Sequence, residues 1–300
     1  MRAGLTVFAV LVCLGTAGGF LDGPPKAAAQ DSTDAVVVGA GDIANCKMIA
    51  GAQATAKLIE AIPGTVVAMG DLALSNGSAE EFADCYDKTW GAFKSRTRPA
   101  PGNHEYHSPG AGPYFNYFGA AAGEPGKGYY SYELGAWHVI ALNGECKEIG
   151  GCEKGSAEEQ WLRQDLKAHP AACALAYWHE PLFSSGAAHG NSPEYRDFWR
   201  DLYEAKATIV LNGHDHDYER FAPQTPEGVQ DNARGIREFV VGTGGNHERP
   251  FAATPQPNSE VRMTGTFGVL KLTLRAHRYD WQYIAEAGKS FTDSGTGNCH

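Results

Sequence analysis

The chain has 300 residues, 43% of them hydrophobic and 20% charged, enough apolar content to bury a sizeable core and too mixed in sign for bulk disorder. Thirty-five acids against 25 bases leave a formal charge of −10. A surface of that sign disfavours nucleic-acid backbones and anionic membranes, although bound divalent cations would reverse it locally.

The first stretch reads as an export signal. Arg2 supplies a positive start, an apolar run from Leu5 to about Phe20 follows, and Ala27-Ala28-Ala29 offers small residues for cleavage before Gln30. An uncleaved anchor is the competing reading, because the run approaches the roughly 18–20 residues that span a bilayer. Gly15, Gly18, Gly19 and the Ala-x-Ala ending favour cleavage. Loss of residues 1–29 removes Arg2, Lys26 and Asp22, so 23 bases against 34 acids leave −11. Cys46, Cys85, Cys146, Cys152, Cys173 and Cys299 then remain, and an even number in an exported chain implies disulfides. Many connectivities are open. The pairs expected here are Cys46–Cys85, Cys146–Cys152 across a Gly-rich loop, and Cys173–Cys299 tying down the C-terminus.

Ala35–Gly39 and Thr65–Met69 are continuous apolar runs of strand length, as in strands buried on both faces. Ala50–Ile62 between them reads as a helix, and Ser78–Trp90 as another, with Phe82, Tyr86 and Trp90 on one face. Tyr129–Leu134 and Trp137–Leu142 form a hairpin around Gly135-Ala136. Ser156 and Glu159 make a capping box that opens a helix ending at His169-Pro170. Cys173–Trp178 and Thr208–Leu211 are further buried strands, separated by a helix near Ser192–Ala205. Glu238–Val241, Gly268–Leu274 and Asp280–Ile284 complete the strands, and residues 108–128, 222–235 and 244–258 read as loops. The alternation implies one α/β domain over residues 30–300.

Five segments place a polar residue after an apolar strand: Gly41-Asp42, Gly70-Asp71, Gly102-Asn103-His104-Glu105, His179, and Gly213-His214-Asp215-His216. The carboxyl ends of strands in an open α/β sheet gather on one edge, so these residues converge if the strands are neighbours. Carboxylates and imidazoles suit zinc, manganese or iron, and paired ions suit hydrolysis of a phosphate ester. Read singly, Asp42 and Asp71 are helix N-caps and His104 and His179 are core histidines; the ordered series outweighs those readings.

The series resembles the calcineurin-like metallophosphoesterase superfamily. The contexts Asn212–Phe221 (NGHDHDYERF), Gly102–Tyr106 (GNHEY) and Val240–Gly245 (VVGTGG) look like its purple acid phosphatase branch. The resemblance implies a layered αββα sandwich of two mixed β-sheets flanked by helices. It implies Asp71 as the ligand bridging two divalent or mixed-valence ions, Asp42 and His216 at the first ion, and Asn103, His179 and His214 at the second. His104 would assist the leaving group while a metal-bound hydroxide attacks in line. The sequence departs from that pattern at the first site. Ile43 and Ala44 follow Asp42 where many members have Asp-x-His, and Leu74 stands where the purple acid phosphatases place a tyrosine. No tyrosinate ligand and no purple colour are therefore expected; water, Asn45, Ser75 or Asn76 would fill the vacancy. The first motif follows the signal almost directly, so the N-terminal β-sandwich of the plant enzymes is not expected.

His189 and His247, with His107, lie in Gly-rich loops that would border the pocket, and Arg220 is a further candidate for phosphate; structural pairing is its competing reading. His138 inside a strand and His169 at a helix end read as structural. The expected partner is a small phosphorylated substrate outside the cytoplasm, with no nucleic acid and no stable membrane association after cleavage. The alternatives are a nuclease, a phospholipase-type diesterase, or a non-catalytic binding module with a degenerate first metal site.

Overall fold

The computed structural model describes residues 34–300, together with Met1 and Gly4, so the export segment read over residues 1–29 lies outside the described residues. In chain order the strands are β1 (Ala35–Ala40), β2 (Ala44–Asn45), β3 (Thr65–Met69), β4 (Ala73–Leu74), β5 (Thr97–Ala100), β6 (Tyr130–Leu134), β7 (Trp137–Ala141) and β8 (Cys173–Tyr177). They continue as β9 (Ile209–Asn212), β10 (Tyr218–Phe221), β11 (Arg237–Val241), β12 (Ser259–Met263), β13 (Gly268–Leu274), β14 (Arg278–Ala285) and β15 (Ser294–Asn298). The α-helices are α1 (Ala50–Glu60), α2 (Ala79–Glu81), α3 (Gly112–Phe118), α4 (Cys146–Ile149), α5 (Ala157–Ala168) and α6 (Arg196–Glu204).

Two mixed sheets face each other. One has the order β15-β14-β13-β1-β3-β5 and the other β12-β10-β11-β9-β8-β7-β6. Strands β1, β3 and β5 pair in parallel, as do β7, β8, β9 and β11. The apolar run of β8 shows why no alternation was visible in sequence. Cys173, Leu175 and Tyr177 join Val37, Val67 and Leu272 in the core between the sheets. Ala174, Ala176 and Trp178 pack outward on Leu162 of α5 and Phe198, Trp199 and Leu202 of α6. Both faces are dry, and each large side chain so buried contributes about 1.5–3 kcal/mol. Helix α1 packs Ala52 and Ile59 into the core beside the six-stranded sheet, which completes the expected αββα layering. Residues 34–300 belong to one compact unit.

Most elements lie where the pattern put them, but the pattern did not mark strands β10, β12 and β15, and three further segments differ. Ser78 does cap a helix, donating and accepting through a full capping box with Glu81. That helix then passes into a π-helical turn at Phe82–Tyr86 and does not run on to Trp90. The segment read as a loop over 108–128 contains α3, whose Tyr117 stacks on Phe82 at 5.1 Å. At α5 only half of the expected box forms: Ser156 Oγ accepts from Glu159 N–H at 3.3 Å, while Glu159 Oε2 accepts from Gly155 N–H at 2.9 Å. All three expected disulfides are present, with Cα–Cα distances of 5.3 Å (Cys46–Cys85), 5.0 Å (Cys146–Cys152) and 5.3 Å (Cys173–Cys299). Such bonds fit an oxidising compartment. Among the described residues, no helix is long and apolar enough to cross a membrane.

Candidate metal centre

The six-stranded sheet delivers Asp42 after β1, Asp71 after β3 and Asn103 after β5; the seven-stranded sheet delivers His179 after β8 and His214 and His216 after β9. Three candidate ligands thus come from each sheet, and they meet where the carboxyl edges of the two sheets adjoin. Gly41 N–H donates to Val241 O across that seam at 2.9 Å, and His214 N–H donates to Asp42 Oδ2 at 2.8 Å.

Asp42, Asp71 and His214 themselves adopt left-handed backbone conformations, with φ of 59°, 54° and 69°. Each costs a non-glycine residue about 1 kcal/mol or more and is characteristic of functional turns. Of the glycines that precede these ligands, Gly70 alone is also left-handed, at φ 77°. Gly213 is needed for close approach instead, because a Cβ there would stand 2.9 Å from Asp42 Oδ2. A Cβ on Gly70 would stand 2.4 Å from the His179 ring, and one on Gly102 2.5 Å from Asp71 Oδ1.

His179 Nδ1 pairs with Met69 O at 2.8 Å, so its Nε2 faces inward, 3.3 Å from Asp71 Oδ2 and 3.2 Å from His214 Nδ1. His216 Nδ1 pairs with the His247 carbonyl at 2.6 Å, which turns its Nε2 to Asp42 Oδ1 at 3.2 Å. Fixing one ring nitrogen on a carbonyl to aim the other is how ligand histidines are oriented. Burial and the neighbouring His179 and His189 push His214 down to about 3, leaving it in the neutral, metal-binding form. Burial would raise Asp71, yet His179 and His104 hold it below the ordinary carboxylate range; Asp42 is lowered in the same way by His216.

The residues fit a bound cation. Asn103 Oδ1 is a buried acceptor with no hydrogen-bond donor, and Asp42 Oδ1 meets only His216 Nε2, which in the neutral ring is itself an acceptor because Nδ1 is bound to a carbonyl; such an arrangement costs about 1–3 kcal/mol per group unless something positive meets it. Asp42, Asp71 and His179 each present one ligand atom, all within 4.8 Å of one another. At the first site Leu74 is buried and offers no donor. Of the residues expected to fill that vacancy, Asn45 instead bonds the side chain of Asn246 at 3.1 Å. Ser75 and Asn76 give their backbone N–H groups to Glu81.

His104 stands beside the cluster with Nε2 3.6 Å from Asp71 Oδ2 and Nδ1 2.5 Å from Ser75 O; its backbone N–H donates to Asp71 Oδ1 at 2.9 Å. His189 stacks on His214 with ring centroids 4.0 Å apart, and His247 packs on His216 at 4.8 Å, so both line the rim. Arg220 does not join them, and its assignment to phosphate is corrected. It lies within β10, where Nε donates to Asp293 Oδ2 at 2.7 Å, Nη1 pairs with Glu260, and the guanidinium covers the Trp281 ring at 5.0 Å.

Two features of the site carried no role in the sequence reading. Glu105 is fully buried and accepts from four backbone donors: Gly102 (2.8 Å), Asp71 (2.9 Å), Leu72 (2.9 Å) and Ala73 (3.3 Å). It staples the Asp71 turn to the Asn103 turn; its place in the GNHE run was the only signal. Arg249, pairing with His189 Nε2 and donating its backbone N–H to His216 O at 3.1 Å, brings a cation to the rim. Nothing in its loop sequence marks it.

Residues 27–218 match the family described as Calcineurin-like phosphoesterase. Among curated relatives, Purple acid phosphatase 15 of Arabidopsis thaliana is 26% identical over 228 residues, 64% of this chain and 42% of that protein. Purple acid phosphatase 22 of the same plant is 30% identical over 182 residues, 55% of this chain and 39% of its own length. The chain therefore spans about two fifths of the curated relatives it matches. Among solved structures, the purple acid phosphatase PPD1 from yellow lupin (Lupinus luteus) seeds superposes with a TM-score of 0.72 at 20% identity, covering 88% of this chain and 54% of that one. GAP50, the anchor in the inner membrane complex of Plasmodium, shares the fold with a TM-score of 0.68 at 13% identity, covering 89% of both chains. With the family matched over more than half of the chain and its strand-end motifs gathered at one seam, the chain belongs to the calcineurin-like phosphoesterase family and resembles its purple acid phosphatase branch.

Proposed function

We propose that the chain is a phosphoesterase that hydrolyses small phosphate esters outside the cytoplasm at a pair of zinc, manganese or iron ions. The observation that carries this reading is the set of buried acceptors, Asn103 Oδ1 without a donor and Asp42 Oδ1 against the His216 Nε2 lone pair, facing inward-turned histidines at the junction of two sheets. Asp71 would be shared between the ions, with Asp42 and His216 on one side and Asn103, His179 and His214 on the other. Ions held there polarise phosphoryl oxygens and make water nucleophilic near neutral pH.

The protein's own groups do the rest. His104, oriented by the Ser75 carbonyl, directs Nε2 to where a leaving oxygen would emerge and supplies its proton as a general acid. Arg249 brings a positive charge to the opening that favours an anionic substrate, and His189 and His247 beside it, held below the ordinary imidazole value by burial and neighbouring cations, offer neutral ring donors. Glu105 keeps the Asp71 and Asn103 turns in register, and the buried ligand shell limits competing water. The acidic surface argues for small substrates over nucleic acids.

A generic aryl phosphate and its bis-aryl diester, assayed with zinc, manganese and iron in turn, test the reading. Turnover of at least one ester that disappears with chelator supports it. Failure of both esters with every metal sinks it in favour of a non-catalytic phosphate-binding module. The observation favouring that second reading is Leu74, which occupies a ligand position with an aliphatic side chain.

A further inference from the structure

A second His/carboxylate cluster lies at the other end of the seven-stranded sheet. His138 is the second residue of β7, which runs parallel to β8 and β9, so it sits near the strand starts while the metal centre occupies the strand ends. Helix α5 returns antiparallel between β7 and β8 and brings Asp165 and His169 to that same end.

The two imidazoles stack almost parallel, with centroids 4.9 Å apart and planes 7° apart, between two carboxylates. On one side Glu133 Oε1 lies 2.8 Å from His138 Nδ1 and 3.5 Å from His169 Nδ1. On the other side Asp165 Oδ2 lies 2.7 Å from His138 Nε2 and Oδ1 3.8 Å from His169 Nε2. Ser131 Oγ donates to Asp165 Oδ1 at 2.7 Å and anchors that carboxylate.

A neutral imidazole has one donor and one acceptor nitrogen, so neutral His138 cannot satisfy carboxylates on both of its nitrogens. Either it carries two protons, or a cation replaces the proton on one side. The Asp165 side is built as an orienting partner: buried, held by Ser131, and aimed at Nε2–H. This is how ligand histidines are fixed in metal sites. It leaves Nδ1 of His138 facing Nδ1 of His169 and the Glu133 carboxylate, with one ligand atom from each within 4.8 Å of the others.

We infer that Glu133, His138 and His169 form a separate cation site for a borderline divalent ion such as zinc, with Asp165 as the positioning residue behind His138. Ligand atoms around tetrahedral zinc bind at roughly 2.0–2.2 Å and so stand about 3.3–3.5 Å apart; Glu133 Oε1 must draw back from His138 Nδ1, now at 2.8 Å, and the His169 ring must turn out of its stack to aim Nδ1 at the same point. The two members that must move are the half-exposed ones, Glu133 and His169, with side chains 56% and 48% exposed. His138 stays fixed in the sheet. Binding releases the Nδ1 proton to solvent and ties the edge hairpin of β6 and β7 to the end of α5. The inference is independent of the activity proposed above.

The test is zinc content after equilibrium dialysis at fixed free zinc, for the wild type, His169→Ala and Glu133→Gln. The wild type is expected to hold one zinc per chain more than either variant, with aryl-phosphate turnover unchanged by both substitutions. Saturating zinc should also raise the wild-type melting temperature by about 5 °C more than that of His169→Ala at a hundredfold excess over Kd. Both replaced side chains are half-exposed, so the variants retain the fold. Equal zinc content in all three proteins overturns the inference and leaves His138 as a doubly protonated cation clasped by two carboxylates.

Discussion

Two buried clusters of acids and bases stand in this fold, and they differ in whether their hydrogen bonds close. Around Asp293 every acceptor is met: Oδ2 receives Tyr218 Oη–H (2.7 Å), Arg220 Nε–H (2.7 Å) and Trp281 Nε1–H (3.2 Å), and Oδ1 receives Arg220 Nη2–H (3.2 Å). At the junction of the sheets Asn103 Oδ1 receives nothing, Asp42 Oδ1 faces only His216 Nε2 at 3.2 Å, and three residues accept left-handed backbone to point inward. A closed network holds a structure together; an open one, kept at a cost in strain and desolvation, is shaped for something that arrives later. Arg220 belongs to the first kind, which is why it is no phosphate ligand despite lying four residues after His216, the end of the GHDH run.

The contrast can be broken from either side. Asp71→Asn should produce the largest effect: a loss of about a thousandfold or more in kcat/KM with a fall in bound metal, since ion-assisted charge stabilisation is worth several kcal/mol. The metal-free variant should melt only slightly below metal-free wild type, because Asn keeps the oxygen that accepts from His104 N–H while the charge stabilised by His179 and His104 is lost; a large drop would mean that the open cluster is structural. Asp293→Asn should do the reverse. Stripping the partner of a buried guanidinium costs about 3 kcal/mol, to be read from urea unfolding, with metal content and kcat/KM retained.

His104→Ala comes next, lowering kcat about a hundredfold for an alkyl phosphate while sparing an aryl phosphate whose leaving group needs no proton. Equal losses on both would assign His104 to binding and not to acid catalysis. The smallest effect lies in pH dependence. Burial pushes the Asp293 carboxyl up, but Arg220 and Tyr218 outweigh it and hold it below the ordinary value. A lowered carboxyl contributes its stability above the unfolded pKa of about 4 and loses it as pH falls through the folded value. Wild type and Asp293→Asn should therefore converge in stability as pH drops from neutrality towards 3. Parallel curves would mean that Asp293 gains nothing from its charge.

The motifs after β1, β3, β5, β8 and β9 were legible because a strand end needs few residues to specify it: an apolar run, a glycine in every case but His179, then a donor. Long-range geometry was less visible. Sequence spacing could place His179 and Asp71 at strand ends, but not reveal that each sheet supplies half of the centre. The length of the helix after Ser78 was misjudged because the aromatic face of Phe82, Tyr86 and Trp90 fits a helix and a π-turn followed by a tight coil equally well. Glu105 escaped assignment since its partners are all backbone groups, which carry no mark in a sequence. Arg220 misled for the opposite reason: an arginine near a motif looks like an anion ligand until its partner, 73 positions away, is known.

The Cys173–Cys299 bond acquires a further meaning from where its ends lie. Cys173 opens β8 in one sheet and Cys299 follows β15 in the other, while His179, at the far end of β8, faces Asp71 of the opposite sheet. The two layers are thus fastened at both ends, by a covalent stitch at one and by whatever cation the ligands share at the other. Fasteners on the same pair of plates are thermodynamically linked, each making the other easier to close. Reducing the stitch should loosen the grip on the cation, and removing the cation should expose the stitch to reductant.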